Sequence, residues 1–204
     1  MNDESTRAKI LAAAGRLFGD KGKNGVSTAV IAREAGVNKT LIFYHFGSKE
    51  ELYLAVFTSW AEELKQTMDT NLGTVKPGLA MLEEFIRTHI MFLSKHTPML
   101  RVMVRELLTG GPEQSPIILK AAEALKPFAN HILVGVTAAK TRGEIRKVDP
   151  MHTLVNIISL NVFYFLGKPI LTMVNPSVNP DKFEKDRIDH IVDFVINGLR
   201  ARTE

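Results

Sequence analysis

The sequence predicts an all-α protein in two parts, and three observations carry that reading. Apolar residues recur with the 3.6-residue helical period along most of the 204-residue chain, and few segments alternate with period two. Helix-capping residues and glycines punctuate the first 50 residues at short intervals. Later segments are longer, and proline-bearing or polar stretches near 70–78, 110–116, 142–150 and 167–180 separate them.

The elements follow in order. Ile10, Ala14, Leu17 and Phe18 form one apolar stripe, which Gly22 ends. Ser27 or Thr28 opens a short helix through Ala35, and Gly36 stops it. Asn38 caps the next short helix. Ser48 caps a longer one running to about Met68, with Glu51 in capping-box position and Leu52, Val56, Trp60 and Leu64 inward. The stretch "TNLGTVKPG" (70–78) breaks the pattern and marks the domain boundary, giving an N-terminal domain over 4–64 and a C-terminal domain over 75–203.

In the second part, a helix over about 79–95 turns Leu82, Phe85, Ile86, His89, Ile90 and Leu93 inward. Pro98 opens a short helix through Leu108. A helix over 117–141 contains Pro127, which is expected to bend it. The segment 151–166 is apolar on nearly all sides, and 181–202 is amphipathic. A helix that is apolar all round must be covered all round. A second subunit is the economical cover, so these two helices suggest a homodimer with a four-helix interface.

Composition narrows the possible chemistry. There is no cysteine, which excludes disulfides and thiolate metal sites. The N-terminus carries acids where a secretory signal needs a basic lead, and the apolar run 154–166 is too short to span a bilayer. A cytoplasmic protein with no membrane partner is expected. The net charge is +4, and residues 1–49 hold eight lysines and arginines against four acids, so the basic excess sits at one end. That distribution hints at a polyanion partner.

Two short helices joined by a tight glycine turn form a helix-turn-helix, here over 27–46. Val30, Ile31, Ala35, Val37 and Ile42 are small or apolar where the helices must touch. At 100° per residue, Lys39, Thr40, Phe43 and Tyr44 share an arc of roughly 140° on the second helix, opposite Ile42, with Leu41 at the border. Lysine can donate to guanine O6 and N7, threonine can bond a base or phosphate, and aromatic edges can touch thymine methyls. The arc therefore suits the major groove of double-stranded DNA.

At these residues the chain resembles the TetR-type family of bacterial transcriptional regulators. The run "STAVIAREAGVNKTLIFYHFGSKEEL" carries the resemblance, preceded at a similar distance by "ILAAAGRLFGDKG"; "GEIRKVDP" ahead of an apolar helix adds a weaker likeness. The resemblance implies an N-terminal three-helix DNA-binding domain and a C-terminal ligand-binding and dimerisation domain. It also implies a homodimer on a near-palindromic operator, usually repressing, released by a small hydrophobic effector. Ser27 and Thr28 would touch phosphate, Lys39, Thr40 and Leu41 would face bases, Phe43 and Tyr44 would contact sugar-phosphate or thymine methyls, and His45 and Lys49 would hold phosphates. The sequence departs from the family pattern in having Asn38 where serine or threonine is common, Thr40 where a smaller residue is frequent, and Phe43 in place of a tyrosine. A same-fold DNA-binding protein with a protein partner, such as a nucleoid or division factor, is the alternative.

Effector cavities in helical domains lie between helices, which makes Phe85, His89, Met103, Leu107, Phe128, Ile132 and Phe163 the candidate lining. The six histidines lack metal-ligand spacing, and there is no G-x-S-x-G, P-loop or G-x-G-x-x-G. Neither a metal, nor a cofactor, nor enzyme activity is expected.

Overall fold

The computed structural model describes residues 3–109 and 115–201; the expected loop at 110–116 lies largely outside them. The described chain is helical: α1 Asp3–Lys21, α2 Thr28–Ala35, α3 Lys39–Phe46, α4 Lys49–Leu72, α5 Leu79–Lys95, α6 Thr97–Thr109, α7 Pro116–Thr141, α8 Pro150–Val174 and α9 Pro180–Leu199. An isolated antiparallel bridge pairs Ile145 with Arg200. Packing divides the chain into two compact units. One holds residues up to 63 together with 96–124, and the other holds 64–95 together with 125 onward.

The first unit therefore contains a segment that the sequence reading had placed in the second domain. Helix α6 buries Met99, Leu100 and Val102. Its polar side chains tie it to α1 and α4: Arg101 donates to Asp20 (2.8 Å), Arg105 Nη1 to the Phe18 carbonyl (3.2 Å), and Tyr53 to Glu106 (2.9 Å). Gly19 of α1 lets Pro98 approach, since a Cβ at Gly19 would stand 2.4 Å from the proline's own. Periodicity shows that 97–109 has an apolar face, but not which core receives it.

In the second unit, the residues expected on the inner face of α5 (Leu82, Phe85, Ile86, His89, Ile90 and Leu93) are all buried. The turn between α7 and α8 clamps two helix ends. Glu144 accepts from the Leu79 N–H at 3.4 Å, Arg142 donates to the Pro77 carbonyl at 2.5 Å, and Arg146 donates to the Gly198 carbonyl at 2.7 Å. Glu184 of α9 accepts from Lys168 of α8 and Ser94 of α5. Burial works to raise its pKa, but these donors hold the carboxyl below its usual range.

Helix α8 corrects two expectations. It starts at the Asp149 cap, which accepts from the His152 N–H at 2.8 Å, and it continues past Leu166 to Val174 with Pro169 inside. A proline removes one backbone hydrogen bond, and the helix runs on through it here. At 25 residues, α8 is long and apolar enough to cross a bilayer by length and composition, and 22% of its most apolar stretch is buried. Helix α9 ends at Leu199 rather than near 202.

At the centre of this unit, His89 Nδ1 lies 3.1 Å from Asn161 Nδ2. Asn161 is fully buried, and its Oδ1 has no hydrogen-bond partner among the described residues. Burial lowers the His89 pKa to about 4, so the ring is neutral in the fold and accepts from the Asn161 amide at Nδ1. An unfolded histidine titrates near 6.5. The folded chain thus binds fewer protons between these values, and His89's contribution to stability is whole above about pH 6.5 and declines toward pH 4. The slope from this group is at most about 1.4 kcal/mol per pH unit. Urea unfolding midpoints of wild type and His89→Gln should converge as the pH falls through that window. Parallel curves would place the proton uptake elsewhere.

Candidate nucleic-acid interface

The first unit builds its outer face from its core. Ile10, Phe18, Ile31, Ile42 and Leu52 are each 0% exposed and belong to one apolar cluster with Val56 and Phe46. Phe18 and Tyr53 meet edge to face at 4.9 Å. Ile31 anchors α2 and Ile42 anchors α3. Between them, Gly36 takes the left-handed conformation at φ +65°, where a Cβ would be strained.

Side chains start each helix. Ser27 accepts from the Val30 N–H at 3.3 Å. Asn38 Oδ1 accepts from the Thr40 N–H at 2.9 Å and from the Thr40 hydroxyl at 2.7 Å. Ser48 Oγ accepts from the Glu51 N–H at 3.0 Å, as half of a capping box. The Ser48 N–H turns instead to the Phe46 carbonyl at 2.8 Å.

With Ile42 and Phe46 inward, α3 presents Lys39, Thr40, Phe43 and Tyr44 to solvent. Phe43 is 44% exposed and Tyr44 73%. The Lys39 ammonium lies 5.7 Å over the Phe43 ring, along the face rather than away from it. No carboxylate occurs between Ala35 and Lys49. Ser27 is exposed, while Thr28 and Lys49 are half-buried at the starts of α2 and α4.

Two of the expected contacts are placed otherwise. The His45 side chain is 5% exposed, its Nε2 stands 3.5 Å from Asp3 Oδ1, and its ring meets Tyr44 edge-on at 5.1 Å. It is therefore largely buried against its neighbours. Leu41 is half-buried and packs against the apolar cluster, so it supports the helix rather than facing outward. On this eight-residue helix both are partly buried beside the buried Ile42 and Phe46, whereas Phe43 and Tyr44 are exposed.

The seven candidate effector residues are divided between the two units. Phe85, His89, Phe128 and Ile132 are buried in the second unit, Met103 and the half-exposed Leu107 belong to the first, and Phe163 is 73% exposed. The pairing of Asn161 with His89 was not read from the sequence; the trace was two amides, Asn156 and Asn161, inside an otherwise apolar helix.

Comparison with known proteins gives the following. Residues 10–56 match the family model described as bacterial regulatory proteins, tetR family. The chain is 33% identical over 204 residues to the HTH-type transcriptional regulatory protein RaaS of Mycobacterium tuberculosis, covering 99% of this chain and 87% of the relative. It is 28% identical over 200 residues to the HTH-type transcriptional regulator RutR of Escherichia coli, covering 95% of this chain and 90% of that one. Among solved structures it shares its fold with AibR, determined in complex with isovaleryl coenzyme A and operator DNA, at a TM-score of 0.73 and 18% identity over 93% of this chain and 97% of that one.

The caps generate a stability prediction. Asn38→Ala should cost about 1 kcal/mol by urea denaturation, whereas Asn38→Ser should stay within a few tenths because serine can cap. Equal losses in both variants would mean that the amide serves something other than the helix start.

Proposed function

The chain belongs to the tetR family of bacterial transcriptional regulators, and we propose that it is a homodimeric repressor that binds a near-palindromic operator and is released by a small hydrophobic effector. The observation that carries this reading is the exposed face of α3. It joins a lysine, a hydroxyl-bearing residue and two aromatic rings in a stretch free of carboxylates, on a helix anchored from behind by Ile42.

In this reading α3 enters the major groove. Lys39 and Thr40 face base edges, and Phe43 and Tyr44 contact sugar-phosphate or thymine methyls. Ser27, Thr28 and Lys49 hold phosphates at the helix starts, so the reading head corresponds to 4–64 and the effector and dimerisation region to 75–203. The dimer forms through α8 and α9. In support, Met151, Val155, Phe163 and Ile170 of α8 and Phe194 of α9 are each at least half exposed, and a second copy is the cover that suits a regulator of DNA in the cytoplasm. The effector site draws on the buried residues Phe85, His89, Phe128 and Ile132 of the second unit.

Two recognition helices must stand roughly 34–36 Å apart to enter successive major grooves. Helix α4 runs from residues of the first unit into those of the second, so an effector that shifts its far end changes that spacing. A tenfold change in operator affinity needs about 1.4 kcal/mol of differential affinity between the two states.

The test is binding of the purified protein to DNA from just upstream of its own gene at two salt concentrations. Tight, competitor-resistant, salt-dependent binding by two protomers is expected; no binding at either salt would end the reading. On the bound sequence, Lys49→Ala should weaken binding to all DNA and reduce the log-log salt slope by about 0.9. Lys39→Ala should instead cost about 1–3 kcal/mol at one base pair. The reverse pattern would exchange the two roles.

A further inference from the structure

We propose that Thr40 reads the 5-methyl group of a thymine, so that each operator half-site carries one thymine recognised through its methyl. This rests on the placement of α3 in the major groove. Three observations define the chemistry. Asn38 Oδ1 takes both the N–H and the hydroxyl proton of Thr40, at 2.9 and 2.7 Å. The hydroxyl proton is therefore spent on the helix cap, and the methyl is the part of this exposed side chain that has no polar partner. Phe43, three residues on and on the same face, adds a half-exposed ring beside it.

The surroundings favour the same base. Asn38 is the one carboxamide between Ala35 and Lys49, and its oxygen is occupied by the cap. With no carboxylate and no free amide oxygen in that stretch, the side-chain acceptors this face leaves for cytosine N4 or adenine N6 are the hydroxyl oxygens of Thr40 and Tyr44. Lys39 supplies a donor for the keto oxygens of guanine or thymine. A face that pairs an apolar patch with a donor fits a thymine, which carries both a methyl and the O4 acceptor.

Half-sites are first selected from a random duplex library with the full-length protein. Each thymine is then replaced singly by deoxyuridine, which pairs identically and lacks the methyl. One thymine per half-site should lose about four-fold in affinity on replacement, the value of one buried methyl. Thr40→Ser keeps the hydroxyl and its bond to Asn38 but removes the methyl, so it should abolish that penalty. Thr40→Val keeps a methyl without the hydroxyl and should retain it. If every thymine is replaceable without loss, the methyl is not read and the inference is overturned while operator binding stands. A penalty unchanged in Thr40→Ser assigns the thymine to another residue and also overturns it. If no sequence is selected at all, the DNA-binding reading fails and this inference goes with it.

Discussion

Ile42 is 0% exposed and Phe43, the next residue, is 44% exposed. On an eight-residue helix, that reversal is the constraint on which the reading head depends. A helix so short is not stable alone, and α3 exists because Ile42 and Phe46 are drawn into the cluster of Ile10, Phe18, Ile31 and Leu52. Every outward side chain inherits its direction from that burial. The glycine at 36 and the caps at 27, 38 and 48 supply the turns that bring both short helices onto one core without a strained non-glycine residue.

Much of this was legible because the signals are local. A cap and a glycine act within four residues, so Gly36 and Asn38 marked their helix ends in the sequence alone, and the first start was narrowed to Ser27 or Thr28. The inner face of α5 was equally plain, since six apolar or histidine positions at helical spacing leave one solution. What was not legible depended on partners distant in the chain. The polar ties of α6 to Asp20, the Phe18 carbonyl and Tyr53 join residues at least 53 positions apart. The inward turn of His45 follows from the burial of its neighbour Phe46 and the approach of Asp3, neither of which a helical wheel contains. Pro169 misled for a different reason: a proline's local cost is readable, but whether the helix runs on through it is not.

The second unit handles polarity differently. Its ion pairs and backbone clamps sit where they remain partly solvated, as at Glu184 and Glu144, while its centre holds the neutral pair His89 and Asn161. A charged pair there would carry a desolvation cost of several kcal/mol per ion. A neutral imidazole and amide avoid most of that cost and still hold the two side chains to hydrogen-bonding distance. This polar contact therefore fixes the register of α5 against α8 in a way that leucine and isoleucine contacts do not.

Folding and recognition in α3 also share atoms. The oxygen of Asn38 that begins the helix is the same oxygen that takes the Thr40 hydroxyl proton. A serine cap at 38 would still begin the helix, but its single hydroxyl could not accept from Thr40 in the same geometry, and the threonine could then present its oxygen outward. Cap identity and the chemistry of the outward face are therefore coupled. An amide at this position holds the Thr40 proton, so Thr40 can accept from a partner but not donate to it. That coupling gives the departure at Asn38 a physical consequence beyond capping, and it ties the unusual threonine at 40 to the unusual amide two residues before it.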